Sequence, residues 1–326
     1  MAAEVAHKEE NHEDASNEDQ LDRARGCFLG TAVGDSLGTT LEFSTRLNPY
    51  KPTVTDIVGK GPHKLRRGQW TDDTSMALCL ADSLLSKKRL DLTDQLQRYL
   101  RWAKRGHNSC TGTCFDVGTT IRNSLEAFRK SKSIHAAGRF KRTAGNGSLM
   151  RIAPVPIAAP TLETAMKWGS EQSKATHVAV EAVQACELLS GMLFLAIEGG
   201  LSKDELLNHP KLRRSDWTTK ITEIIHGSYR TKEPPEIQGS GYVIHTLEAV
   251  LWAFNKSTNF KDGAVLVVNL GNDSDTTGAI YGALAGAFYG LSSIPEKWRK
   301  IVAWSEHIQK RSTQLYNARS VNFVSF

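Results

Sequence analysis

The sequence predicts an all-α protein, with one compact helical domain behind a short tail. From Leu21 onward the strongest hydrophobic periodicities have the three- and four-residue spacing of helices. Alternating strand patterns are hard to find. Only residues 265–270, short and β-branched, fit a strand, and they fit the end of a buried helix equally well. No shift in composition divides the 326 residues into halves, so we expect a single domain.

The predicted helices follow one another with loops between them. Residues 75–85 illustrate the pattern, because they place Ala77, Leu80, Ala81 and Leu84 on one helical face. Segments 44–70, 105–114, 131–147 and 228–241 are rich in glycine, proline and charge, which predicts loops. The same periodicity predicts helices over residues 21–41, 75–85, 92–104, 115–130, 162–170, 178–198, 215–227, 242–254, 260–270, 277–291 and 295–314.

Residues 1–20 differ from the remainder in charge. They hold seven acidic residues against one lysine, a net charge of −6, so the remainder carries +12 and the whole chain +6. An acidic segment with few apolar residues cannot bury enough surface to order itself, which predicts a disordered tail over 1–20 and a folded domain over 21–326. The basic domain suits an anionic ligand. Its basic clusters are scattered and lack a nucleic-acid-binding signature, so we interpret them as solvated surface.

Cysteine usage and hydropathy bear on the cellular compartment. The five cysteines form no CxxC pair, so we expect reduced thiols rather than disulfides or a zinc site. No uninterrupted apolar run reaches the roughly 18 to 20 residues of a membrane span, and the acidic start does not resemble a signal peptide. We therefore expect a cytoplasmic or nuclear protein with no membrane partner.

The predicted helix over 277–291 carries a stripe of glycines. Gly278, Gly282, Gly286 and Gly290 recur at four-residue intervals and clear side chains from one helix face. A neighbouring helix should therefore approach this face closely.

Two segments concentrate carboxylates and hydroxyls where a helix should begin, TDDT at 71–74 and DSDTT at 273–277. Either alone is more typical of helix capping, but one acid and one hydroxyl satisfy a cap. Each segment holds two acids, which repel unless a cation neutralises them. Four carboxylates with threonine oxygens, and no adjacent histidine or cysteine, favour magnesium or manganese. An EF-hand is not indicated, since the second segment lacks the later glycine and the glutamate at loop position twelve.

A series of motifs resembles the ADP-ribosylglycohydrolase family, especially the branch of dinitrogen-reductase-activating glycohydrolase. Their order spans nearly all of the chain after the tail. The resemblance implies an all-α orthogonal bundle with a dinuclear metal centre whose cations bind the ribose of ADP-ribose. The motifs are GCFLGTAVGDSLG at 26–38, EF at 42–43, WTDDT at 70–74, GNGSLMR at 145–151, TH at 176–177, GSGY at 239–242 and GNDSDT at 271–276.

The resemblance also implies metal-binding and catalytic roles. Glu42 matches an acid on a flexible segment that reaches the metals or the substrate, and Asp116 matches a carboxylate that assists catalysis. The division of roles between them stays open, and Asp116 alone is equally typical of a helix cap. The positions that match ligands of two Mg²⁺ or Mn²⁺ ions are Thr71, Asp72, Asp73, Asp273, Asp275 and Thr276.

Six further positions match residues that contact the ligand. A glycine loop lets backbone amides approach a pyrophosphate, although the same sequence alone is more typical of a tight turn. A lone histidine such as His177 is usually structural. Tyr242 either stacks on adenine or packs in the core with Trp252. The implied ligand contacts are Gly145, Asn146, Gly147, Ser148, His177 and Tyr242.

These matches imply a metal-dependent hydrolase that cleaves the bond between C1″ of ADP-ribose and an acceptor. Protein arginine is the first choice, because WTDDT and the segment around Asp116 resemble the arginine-directed branch. Serine-linked, poly-, O-acetyl- and nucleic-acid-linked ADP-ribose remain alternatives, as does a non-catalytic binding or crystallin-like structural protein. The six retained oxygen ligands favour catalysis. We expect a monomer whose partners are ADP-ribosylated proteins and the ADP-ribose product, with nucleic acid only as a modified substrate.

Overall fold

A computed structural model describes residues 2–45, 47–140 and 142–319, with side chains from Asn17 onward except at 139 and 140. Within these residues it contains fourteen α-helices and no strand, which confirms the all-α prediction. The helices are α1 (Ala2–Gly38), α2 (Asp72–Lys87), α3 (Leu92–Arg105), α4 (Thr119–Ser131), α5 (Pro154–Ala158), α6 (Leu162–Ser173), α7 (Val180–Glu198), α8 (Lys203–Leu207), α9 (Thr219–Ile225), α10 (Val243–Lys256), α11 (Phe260–Val268), α12 (Ser274–Tyr289), α13 (Glu296–Ile301) and α14 (Ser305–Ala318).

Most predicted helices are present, with three corrections. Residues 295–314 form two helices rather than one, because residues 302–304 interrupt them and Trp304 has a left-handed backbone with φ of 60°. Helix α4 begins at Thr119 instead of 115, since Asp116 also has a positive φ of 54°. The short helices α5 and α8 were not predicted. Ser202 and Glu205 form a capping box that starts α8, a signal visible in the sequence.

Helix α1 reaches into the segment for which the sequence predicts a disordered tail. Residues 17–20 belong to α1, and the Gln20 side chain accepts a hydrogen bond of 2.7 Å from the Tyr316 hydroxyl. Side chains of residues 1–16 lie outside the described part. The disordered tail therefore stays a prediction.

The glycine stripe of α12 packs against a second stripe on α1. Gly26, Gly30 and Gly34 face Gly286, Gly282 and Gly278 in that order, so the two helices run antiparallel. A Cβ atom at Gly34 would lie 1.9 Å from the carbonyl oxygen of Gly278, closer than any real contact. This confirms the predicted close approach. It also brings the first turn of α12 beside the end of α1, where Ser274 Oγ donates to the Gly38 carbonyl at 2.8 Å.

Helix α7 lies in the core of the bundle. Its length and hydropathy alone would suit a membrane span, but most of its residues are buried against other helices. A lipid-facing helix would instead expose that apolar surface. We therefore interpret α7 as a core helix.

Candidate active site

Asp35 of α1 holds the beginning of α2. Its Oδ1 accepts hydrogen bonds from the backbone NH and hydroxyl of Thr71, at 2.9 and 3.0 Å, and its Oδ2 accepts the same pair from Thr74, at 3.1 and 2.7 Å. These bonds satisfy donors that a helix start leaves free. Since Thr71 itself makes no side-chain cap, the cap comes from α1. The acids of the TDDT segment are therefore not needed for capping.

The starts of α2 and α12 meet at one buried point. Thr71 Oγ1 lies 3.2 Å from Asp73 Oδ2 and 3.2 Å from Asp275 Oδ2. Thr276 Oγ1 lies 3.5 Å from the same Asp73 oxygen. The two predicted segments, some two hundred residues apart in sequence, thus place their oxygens in contact.

The other two predicted metal ligands lie on the cleft side of this point. Asp72 lines the cleft, and Asp273 Oδ2 accepts a hydrogen bond of 2.6 Å from Asn146 Nδ2. That bond joins the carboxylates to the predicted ligand-binding loop. All six predicted metal ligands therefore belong to one site, where five are buried and Asp273 is half-buried.

The carboxylates lie in an environment that disfavours their negative charge. Burial, and then the charges of neighbouring carboxylates, raise the pKa values of Asp72, Asp73 and Asp275 well above the ordinary range. Among the described residues, Oδ1 of Asp73 and Oδ1 of Asp275 are buried without a hydrogen-bond partner. Repelling carboxylates with unsatisfied oxygens fit hard divalent cations, which take oxygen ligands and neutralise the charge.

A second acidic group lies at the mouth of the site. His63 Nε2 is 2.9 Å from Glu42 Oε2 and 3.4 Å from Asp116 Oδ2, and the three side chains form a possible metal-holding group of their own. Burial, and then the charges of Asp116 and Asp273, raise the pKa of Glu42 to about 9. The structure therefore brings together both predicted catalytic carboxylates.

Sequence reasoning missed His63 and the capping role of Asp35. His63 lies on a turn where Lys60 and Leu65 pair through their backbones, at 2.6 and 2.9 Å. Phe43 and Phe115 flank its ring, with centroids at 6.1 and 5.3 Å. A histidine in a basic, glycine-containing loop gives no signal of this contact. Asp35 did offer one, as an acid within the GCFLGTAVGDSLG motif.

A cleft of about 810 Å³ opens over these groups and is large enough for a small-molecule ligand. Ser148 and Tyr242 are not among its lining residues. Ser148 is buried and accepts a hydrogen bond from Ser173 Oγ at 2.8 Å, while the Tyr242 hydroxyl contacts Glu181. Their ligand contacts therefore stay predictions. The predicted residues that do line the cleft are Glu42, Asp72, Asp116, Gly145, Asn146, Gly147, His177, Asp273, Asp275 and Thr276.

The predicted ligand-binding loop is hydrogen-bonded to the GSGY segment. Asn146 NH donates to the Gly241 carbonyl at 3.1 Å, and Val243 NH donates to the Ala144 carbonyl at 3.0 Å. The GSGY segment also accepts the Asp273 amide through the Gly239 carbonyl, at 2.9 Å. Three predicted motifs thus hold one another in place around the cleft.

The cleft brings together paired carboxylates, the groups that hydrolases of glycosidic bonds use as acid, base or nucleophile. The chain belongs to the ADP-ribosylglycohydrolase family, since the model of that family matches residues 16–323.

Curated relatives and a solved structure agree with this family. The ADP-ribosylarginine hydrolases Tri1 of Pseudomonas putida and Serratia proteamaculans are 45% and 40% identical, covering 92% and 91% of this chain and 79% and 80% of their own lengths. The ADP-ribosyl-[dinitrogen reductase] glycohydrolase of Rhodospirillum rubrum is 33% identical, covering 85% and 89%. A solved ADP-ribosylglycohydrolase-related protein complex has a chain with a TM-score of 0.82 and 38% identity, covering 93% of this chain and 99% of that chain. The resemblance in the motifs is confirmed.

Proposed function

We propose that this protein is a metal-dependent hydrolase that cleaves the N-glycosidic bond between C1″ of ADP-ribose and the guanidinium of a modified protein arginine. The observation that carries the proposal is the meeting of Thr71 and Asp73 of the α2 segment with Asp275 and Thr276 of α12, below Glu42 and Asp116. The names of the two relatives at 45% and 40% identity support the arginine linkage.

The buried oxygens would hold two Mg²⁺ or Mn²⁺ ions. Divalent cations bound there would neutralise the carboxylates, bind ribose hydroxyls and lower the pKa of a water molecule. The residues that would hold them are Thr71, Asp72, Asp73, Asp273, Asp275 and Thr276, the set whose unsatisfied oxygens and mutual repulsion fit such ions.

The chain's own residues bind the sugar nucleotide and move the proton. Gly145 and Gly147 line the cleft, and the absence of side chains there would let a diphosphate approach the backbone amides of this loop. Water oxygen bonds to C1″ while the bond from C1″ to the guanidinium nitrogen breaks. The Glu42–Asp116 pair takes the proton from water and returns it to the leaving guanidine. His63 contacts both carboxyls and so holds the pair in place.

The mouth of the cleft also suits a guanidinium group. Phe43 is exposed there, and the rings of Phe43 and Phe115 both contact the ring of His63, which lies beside the two acids. Aromatic faces and carboxylates both attract a planar cation. An arginine leaving group is therefore favoured over a neutral serine.

The test is release of free ADP-ribose from matched arginine-, serine- and nucleic-acid-linked substrates, with Mg²⁺, with Mn²⁺ and with chelator. We expect chelator-sensitive release from the arginine substrate alone. Release from another linkage would reject the proposed acceptor and keep the site. If ADP-ribose bound but no linkage were cleaved, the protein would be a binding protein and not an enzyme.

A further inference from the structure

A buried arginine without an acidic partner lies behind the ligand-binding loop. Arg151 is fully buried, and its side chain donates to Gln172 Oε1 at 3.0 Å, to the Gln172 carbonyl at 3.2 Å and to Thr176 Oγ1 at 2.9 Å. Its guanidinium also stacks over the Tyr99 ring at 4.7 Å. In the described part of the chain no carboxylate lies within ion-pair distance of it. Burying a cation without an ion-pair partner is costly, so these hydrogen bonds and the Tyr99 ring are what stabilise its charge.

The hydroxyl of Thr176 connects this arginine to His177. Thr176 Oγ1 accepts from Arg151 and lies 2.8 Å from His177 Nδ1. The guanidinium of Arg151 can only donate hydrogen bonds. Among the described residues, Nδ1 of His177 is the only acceptor within reach of the Thr176 hydroxyl proton. The hydroxyl therefore donates to Nδ1, which assigns the ring proton to Nε2.

His177 is placed to present that proton to a ligand. Its ring lines the cleft and lies under the glycine loop, where a Cβ at Gly147 would be 3.0 Å from Cε1 and one at Gly145 would be 3.3 Å from Nε2. Burial, and then the charge of Arg151, lower its pKa to about 3, so the ring is neutral at physiological pH. The Nε2 atom thus carries its proton toward the loop.

We propose that Arg151 and Thr176 are positioning residues, a relay that fixes His177 as a neutral Nε2–H donor to an oxygen of the bound ligand. The identity of the ligand as ADP-ribose rests on the proposed function; the relay itself rests on the hydrogen bonds. Neither Arg151 nor Thr176 lines the cleft, so both act through His177. Because the donor serves binding, the relay affects Kd and KM and leaves kcat nearly unchanged.

Three variants distinguish an effect of the relay on ligand binding from the general effect of losing a buried hydrogen bond. Thr176→Val keeps the shape and removes the hydroxyl, whereas Thr176→Ser keeps the hydroxyl. Ser124→Ala is the matched control, since Ser124 Oγ donates to the Thr176 carbonyl at 2.9 Å and takes no part in the relay. We expect Thr176→Val to weaken ADP-ribose binding and raise KM about tenfold, the loss of one neutral hydrogen bond. Thr176→Ser and Ser124→Ala should bind within about twofold of the unaltered protein.

Nitrogen-15 NMR of His177 in the full-length protein reads the tautomer directly. The unaltered protein, Thr176→Ser and Ser124→Ala should show Nε2–H, and Thr176→Val should gain the Nδ1–H form. An Nδ1–H tautomer in the unaltered protein would overturn the relay even if Thr176→Val failed to fold. Equal loss of affinity in Ser124→Ala and Thr176→Val would overturn it too. Absence of ADP-ribose binding in the unaltered protein, with Nε2–H observed, would reject the proposed function and leave the relay standing.

Discussion

The contact between α1 and α12 and the carboxylate centre at its end are neighbours with opposite energetics. Along the contact, backbone meets backbone through facing glycines with no space for a methyl group. At the centre, Asp73 and Asp275 are buried together, and their pKa values are raised by burial and then by the charges of neighbouring carboxylates. The difference teaches that the contact fixes the helices so firmly that the carboxylates stay close despite their repulsion. The α1–α12 contact contributes stability, whereas the carboxylate centre costs some stability because function requires its buried acids.

Filling the contact should have the largest effect. Gly34→Ala would place a Cβ atom 1.9 Å from the Gly278 carbonyl oxygen, in backbone that cannot move without separating α1 from α12. We expect a loss of more than about 4 kcal/mol in the free energy of unfolding, or no folded protein. Urea unfolding measures it. Gly138→Ala is the control, because nothing lies within 4 Å of its Cβ position. Equal stability of the two variants would break the comparison.

Removing a charge from the carboxylate centre should raise the stability of the metal-free protein rather than lower it. Asp275→Asn leaves the shape and relieves repulsion, so the metal-free protein should gain about 1–2 kcal/mol of stability. Activity should fall at least about a thousandfold, and Mg²⁺ should no longer raise Tm. Thermal unfolding in chelator and in Mg²⁺ measures both.

A matched aspartate with a cationic partner gives the control. Burial alone would raise the pKa of Asp94, but its hydrogen bond from Arg98 at 2.5 Å outweighs burial and lowers it. Asp94→Asn should therefore reduce stability and leave activity intact. A metal-free Asp275→Asn protein less stable than the unaltered one would show that the centre stores no repulsion.

Asp35 joins the two regions, so its substitution should affect both moderately. In Asp35→Asn one of the two oxygens becomes a donor, and two of the four hydrogen bonds from Thr71 and Thr74 are lost. We expect a net loss of about 1–2 kcal/mol, since relief of repulsion offsets part of the broken cap. Mn²⁺ binding, followed by electron paramagnetic resonance, should weaken at least about tenfold. Unchanged binding would show that Asp35 does not position the ligands.

Local patterns in the sequence predicted the helices and both ligand segments, because periodicity and clustered acids are properties of short stretches. The stripe on α12 predicted a close neighbour, but only the fold shows that Gly26–Gly38 is that neighbour. The contacts of His63 and the cap from Asp35 are long-range, so no local pattern shows them, although Asp35 itself stands out as an acid within the GCFLGTAVGDSLG motif. A long-range contact also accompanies the break between α13 and α14, since the backbone NH of Ala303 donates to the Gly68 carbonyl at 2.8 Å.

The smallest expected change in stability distinguishes two reasons for a glycine in this fold, namely lack of space for a side chain and a left-handed backbone angle. At the end of α4, Lys132 has a φ of 59°, is exposed, and its NH binds the Phe128 carbonyl at 2.8 Å. Lys132→Gly should add about 0.5–1 kcal/mol of stability, because a left-handed cap costs glycine no steric strain. Gly200→Ala is the converse: φ is 75° and nothing lies within 4 Å, so it should lose about 1 kcal/mol from angle alone. Urea midpoints that moved by equal and opposite amounts would give the cost of the backbone angle alone, and the far larger loss at Gly34, which has no positive φ, is then the cost of space. A loss at Gly200 as large as that at Gly34 would contradict this small cost of the angle.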